Sequence, residues 1–98
     1  METSLTWDEE KRKSNIAKHG FDFADAELVL GSDIRLDIAV FRNGEERIQS
    51  FAYVFDRLAV LTLVHVERDN TTRIISFRAA NKTESEGYHG WLETADKS

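Results

Sequence analysis

Leu58-Ala59-Val60-Leu61-Thr62-Leu63-Val64-His65-Val66-Glu67-Arg68-Asp69-Asn70-Thr71-Thr72-Arg73-Ile74-Ile75-Ser76-Phe77-Arg78-Ala79-Ala80 is the stretch that decides the fold. Two runs rich in Val, Ile and Leu, 58 to 67 and 73 to 80, flank the polar segment 69 to 72. Branched side chains suit a pleated, half-buried surface, and Asp and Asn supply the turn. The pattern predicts an antiparallel hairpin. If the 69 to 72 turn pairs Arg68 with Arg73, then His65 faces Ser76 and Leu63 faces Arg78. Alternation along each strand then gathers His65, Glu67, Ser76 and Arg78 on one face. Val64, Val66, Ile75 and Phe77 fall on the other and read as core, and Arg68 lies on that same side.

Upstream, Ile34, Leu36, Ile38 and Val40 alternate with Arg35, Asp37, Ala39 and Phe41, and Asn43-Gly44 is a strong hairpin signal before a strand over 45 to 54. Asp56-Arg57 is a weaker turn. Four strands therefore form a meander. Before them, Leu5-Thr6-Trp7 is a short strand with Trp7 as a core anchor, and Asp8 is a helix N-cap. A mostly polar helix should run from Glu9 to His19, with only Ile16 and Ala17 as apolar contacts and Gly20 as its stop. A second helix from Phe23 to Leu30 is capped by Asp22 and ended by Gly31-Ser32. Lys82 to Thr94, with Glu84, Tyr88, Trp91 and Leu92, predicts a closing helix. The expected class is α+β: a small antiparallel sheet, a four-strand meander plus a short N-terminal strand, with two N-terminal helices and one C-terminal helix. Helices covering one face would leave the other open to a ligand.

The chain has 98 residues, which is one domain's length, and the reading assigns 1 to 98 to a single domain. It has no cysteine, which excludes disulfides, thiolate metal sites and cysteine nucleophiles. The opening residues lack the order of a secretion signal and no apolar run has the length of a membrane span, so a cytoplasmic protein is expected. Thirteen Lys and Arg against 18 Asp and Glu give a net charge of −5, which argues against a non-specific nucleic-acid coat and leaves room for a local basic site. The acids concentrate between 21 and 70, where ten stand against five arginines.

Imidazole, carboxylate, hydroxyl and guanidinium within a few strand spacings suit phosphodiester chemistry. A base takes a 2′-OH proton, cations stabilise the charged phosphorane, and an acid protonates the leaving oxygen. The competing reading is a solvated sheet face with no chemistry. Lys18-His19 at a helix end either complements the helix dipole or reaches a phosphate. His19, His65 and His89 lack the spacing of a compact metal site, so no metal and no cofactor is expected.

Trp7-Asp8, Lys11, Asn15 and Lys18-His19-Gly20 followed by Phe21 or Phe23 resemble the W-D-x-x-K-x-x-x-N-x-x-K-H-G opening of the BrnT-like toxins. Gly44-Glu45-Glu46-Arg47 resembles the family's G-E-x-R, Val64 to Arg68 its V-x-T-E-R, and Arg73 to Ala80 its R-I-I-S-A-R-x-A. The resemblance runs over about residues 7 to 88. It implies a RelE-like ribonuclease toxin of a type II toxin–antitoxin system, with helices on one side of the sheet, that cuts RNA without metal and inhibits translation. It also implies a ribbon-helix-helix antitoxin as partner, with operator DNA reached only through that antitoxin. Carried over by matching position, the candidate site residues are Lys11, Lys18, His19, Glu46, Arg47, His65, Glu67, Arg68, Ser76 and Arg78. Arg78 and Arg47 would clamp the scissile phosphate, Glu67 or His65 would be the general base, and Ser76 stands beside them. Lys11, Lys18, His19 and Arg68 would hold RNA. Two departures are expected to weaken that hold: Glu84, Glu86 and Glu93 follow where the family carries a basic helix, and Ala79 replaces a common Lys or Arg. A rival reading is a catalytically weak module that acts mainly as antitoxin partner and co-repressor.

Overall fold

In a computed structural model that describes residues 4–96, the polar first helix is built by its ends and by one buried amide. α1 (Glu9–His19) begins where the Asp8 carboxylate accepts from the Lys11 backbone N–H at 3.1 Å. It ends at Gly20, whose φ of 78° lets its N–H donate back to the Ile16 carbonyl. Acidic Glu9 and Glu10 in the first turn and basic Lys18 and His19 in the last match the helix dipole. Ile16 and Ala17, the expected apolar contacts, are exposed. The helix is fastened by Asn15, which is buried. Its amide nitrogen donates to the carbonyls of Phe77 (2.6 Å) and Phe21 (2.9 Å), and its oxygen accepts from the Phe77 N–H.

That contact explains how the sheet is closed on one side. Its five strands are β1 (Ser4–Thr6), β2 (Leu36–Arg42), β3 (Glu45–Val54), β4 (Ala59–Arg68) and β5 (Thr71–Ala79), in the order β1-β5-β4-β3-β2. All neighbours are antiparallel except β1, which lies parallel to β5 only from Thr71 to Arg73. Beyond Arg73, among the described residues, the outer edge of β5 has no strand beside it, and Asn15 satisfies both backbone groups of Phe77 there, as a neighbouring strand would. The sheet is thus one five-stranded unit rather than a meander with a separate strand.

Two of the turns follow from residues that tolerate left-handed backbone. Asn43 and Gly44 have φ of 53° and 76°, and Asp69 and Asn70 have 49° and 63°, which are two-residue type I′ hairpins. The second corrects the expected 69 to 72 loop, because Arg68 pairs with Thr71. The larger correction lies further along. Val64 pairs with Ser76 but His65 pairs with Ile74, so Ile75 is an extra residue, a β-bulge. A one-residue insertion exchanges the faces of everything beyond it.

Helices occupy both faces, where one was expected. Over one face lie a 3₁₀ turn (Phe23–Asp25) capped by Asp22 and the short helix α2 (Glu27–Leu30), while α1 runs along the outer edge of β5, where Asn15 meets Phe77. The expected single helix is divided in two, and Phe23, Ala26 and Val29 carry its buried side against Ala52, Leu61, Leu63, Ile74 and Phe77. Trp7 packs at the margin of this core. On the opposite face α3 (Lys82–Asp96) buries Tyr88 against Phe51 and Val60, with its hydroxyl donating to the Ile34 carbonyl at 2.6 Å. Among the described residues, no helix is long and apolar enough to cross a membrane.

Candidate functional site

The strand pairings sort every candidate side chain onto one of the two faces. Leu61, Leu63, His65 and Glu67 share a face with Ala52, Ser50 and Ile48 of β3, with Asp37 of β2, and with Phe77, Ile74 and Thr72 of β5. This is the face under the 3₁₀ turn and α2. Thr62, Val64, Val66 and Arg68 share the other with Arg47, Gln49 and Phe51, and with Arg78, Ser76, Arg73 and Thr71. This is the face that α3 covers at one end only.

His65 and Glu67 are therefore separated from Ser76 and Arg78 by the thickness of the sheet, contrary to the expected single face. The bulge at Ile75 is the cause. Arg68 is likewise corrected, because it stands on the Arg47 and Arg78 side. Of the four residues expected in the core, Phe77 and Val66 are buried, whereas Val64 and Ile75 are half-buried and line the open face.

On the helix-covered face, His65 is 2% exposed and sits in a continuous chain of polar contacts. Its Nε2 lies 2.8 Å from the Ser50 hydroxyl, which donates to Asp37, and its Nδ1 meets Glu67 Oε2. Thr72 donates to the other Glu67 oxygen, and Arg35 pairs with Asp37. A cavity of about 720 Å³ borders this chain. Glu46 pairs across from Phe41 and is exposed on this side of β3, away from the arginines.

On the open face two depressions of about 470 and 440 Å³ adjoin through Arg47 and Ile75. Together they form a groove carrying six cationic side chains, Lys11, Arg42, Arg47, Arg68, Arg73 and Arg78, against two acidic ones, Glu45 and Asp69. In a chain of net charge −5 this concentration needs a reason, and desolvated anion recognition is one. Arg47 pairs with Glu45 at 3.1 Å, and Arg68 reaches the same carboxylate at 3.8 Å. Arg78 is held by Glu84 through two hydrogen bonds, of 2.8 and 3.0 Å, which raise the guanidinium pKa further. In return the Arg78 guanidinium lowers the Glu84 carboxyl to about 2, with the Asn81 backbone N–H adding to the effect.

A shallower depression beside the groove is lined by Lys11, Lys18, His19 and Ser76, which places the last turn of α1 next to Arg78's strand. Five of the expected residues besides Arg78 and Arg47 thus gather on this side: Ser76, Lys11, Lys18, His19 and Arg68. Arg73 and Arg42 line the groove and were not among the site residues expected from the sequence. The signal for Arg73 was its charge within an apolar run, and the structure pairs it with Val66. Among the described residues, no group of three or more His, Asp or Glu side chains is placed to hold a metal ion.

The fold and the site define an α+β protein with an arginine-lined groove on one face of a mostly antiparallel sheet. The particular family follows from the sequence: residues 7–84 match the family model of BrnT, the ribonuclease toxin of a type II toxin–antitoxin system, and the chain belongs to that family. Membership brings an RNA substrate and a cognate antitoxin as partner. A comparison with the curated proteins finds no match.

Proposed function

We propose that the chain is a RelE-like, metal-independent endoribonuclease that inhibits translation and is neutralised by a ribbon-helix-helix antitoxin, through which alone it meets operator DNA. The observation that carries this reading is the cationic groove shared by Arg47, Ser76 and Arg78. Arg47 and Arg78 clamp the scissile phosphate, since a guanidinium offers forked donors and keeps its charge as the phosphorane forms. Ser76 adds a hydroxyl beside them, and Lys11, Lys18, Arg68 and Arg73 hold flanking phosphates. The RNA's own 2′-OH attacks phosphorus and its proton leaves to a base on the groove side; the P–O5′ bond breaks, the departing 5′-oxygen takes up a proton, and the products carry a 2′,3′-cyclic phosphate and a 5′-hydroxyl. His19 is the imidazole on that side. His65 and Glu67 build the sheet from beneath.

The antitoxin covers the same groove with acidic and apolar side chains, blocking RNA by occupation and by charge. Metal independence rests on the scattered placement of the histidines at the end of α1, under α2 and on α3. The test is cleavage of RNA by the partner-free chain in excess EDTA, with cyclic phosphate ends on the products. Loss of cleavage on chelation, restored by a divalent ion, contradicts the reading. In that same assay a chain that binds RNA without cutting it would favour the co-repressor reading.

A further inference from the structure

Resting on that reading of the groove, we propose that Glu84 is a positioning residue that aims Arg78 at the phosphate. A guanidinium has two forked edges, one formed by its two Nη groups and one by Nε with Nη2. Glu84 occupies the first edge, with Oε1 accepting from Nη1 at 2.8 Å and Oε2 from Nη2 at 3.0 Å. Nη1 also donates to the Ala79 carbonyl. Among the described residues nothing accepts from Nε, so the second edge is left for a ligand in the depression that Arg78 shares with Arg47, Gln49 and Ser76.

Glu84 is itself fixed. Its Oε1 accepts from the Asn81 backbone N–H at 2.9 Å while its own N–H donates to the Asn81 side chain at 2.8 Å, a reciprocal cap on the first turn of α3. Gln49 approaches the other oxygen at 3.4 Å. A carboxylate acting as a brake would have to release Arg78 when phosphate arrives. This one is tied into a helix start and keeps the arginine in place, so the acidic residue at the head of α3 serves the groove instead of opposing it. A prepositioned guanidinium loses less freedom in reaching the transition state. The neutral pair also attracts ground-state RNA less than a bare arginine would, so removing the carboxylate has opposite effects on the chemical step and on binding.

The experiment compares Glu84→Gln, Glu84→Ala, Arg78→Ala and the double variant Arg78→Ala/Glu84→Ala in the full chain, on a labelled RNA oligonucleotide that the unaltered chain cuts. Glu84→Gln keeps an oxygen for the Asn81 cap, and activities are expressed per folded molecule from thermal melts. The expected result is a kcat lower by roughly ten- to a hundredfold in both single Glu84 variants, with KM unchanged or lower. The double variant should then be no worse than Arg78→Ala alone. Unchanged or raised kcat in the Glu84 variants, with Arg78→Ala inactive, overturns the positioning role and leaves the groove reading standing. Full cleavage by Arg78→Ala overturns both.

Discussion

The two faces of the sheet carry charged residues of the same kinds and use them in opposite ways. Under the helices, His65, Glu67, Asp37, Ser50 and Thr72 satisfy one another, and the imidazole is almost wholly enclosed. On the open face the arginines outnumber the acids, and their ion pairs with Glu45 and Glu84 leave the groove cationic. Burial with a full set of partners is how a fold accommodates polar groups, whereas the cations gathered on the open face are the ones the proposed RNA contact uses. What divides the two sets is the single extra residue Ile75.

The sharpest way to break that contrast is to remove one residue from each face. Arg78→Ala should lower RNA cleavage by about 10²–10³-fold, the cost of losing one donor to developing charge, with only a modest loss of stability from the broken Glu84 pair. His65→Ala should do the reverse. It leaves Ser50 and Glu67 without their imidazole partner in a packed interior, at a cost of about 3 kcal/mol in stability, and cleavage per folded molecule should hold. Denaturant titration beside a cleavage assay checks both, and a His65 variant that folds normally but cannot cut would invert the assignment.

A smaller effect is expected where the two faces meet at the sheet edge. Asn15→Ala leaves the N–H and carbonyl of Phe77 without the side chain that closes the β5 edge, and should cost about 2 kcal/mol by the same titration. Amide exchange at Phe77 should quicken more than exchange in β4.

The smallest effect is one of pH. The Glu84 carboxyl is held down to about 2 from an ordinary 4.5, chiefly by the Arg78 guanidinium. A group whose folded pKa is depressed contributes stability above its unfolded value and loses it as pH falls toward the folded one. The loss should therefore fall between about pH 4.5 and 2. Glu9, lowered to about 2 chiefly by its hydrogen bond from Arg12, contributes in the same window. Glu84→Gln should flatten the acid limb of a stability–pH curve without abolishing it, and an unchanged slope would show that the pair is not linked to folding.

Much of the fold was legible because its signals are local. Asp8 and Gly20 bound α1 as read, Asn43-Gly44 turns as a type I′ hairpin, and β3 covers 45 to 54. The family's ordered landmarks were legible too, and the match over residues 7–84 bears them out. The division of the site was not, because a bulge inside Arg73-Ile74-Ile75-Ser76 changes no composition and breaks no apolar run. Its position is set by pairing with β4, a tertiary fact. The role of Asn15 was hidden for the same reason: its partner Phe77 lies 62 residues along the chain. Placement of α3 across the sheet from α2 likewise depends on Tyr88 meeting Phe51 and Val60.

The central claim is that RNA phosphate is met on the open face and not in the cavity beneath the helices. The most direct test maps amide and side-chain NMR shifts on titrating the full chain with an RNA oligonucleotide carrying a 2′-deoxy group at the cleavage position, which binds without being cut. The account predicts shifts at Arg47, Arg73, Ser76 and the Arg78 guanidinium, weakening with added salt as phosphate contacts do. Shifts centred on Asp37, Ser50, His65 and Glu67, with the arginines undisturbed, would contradict it.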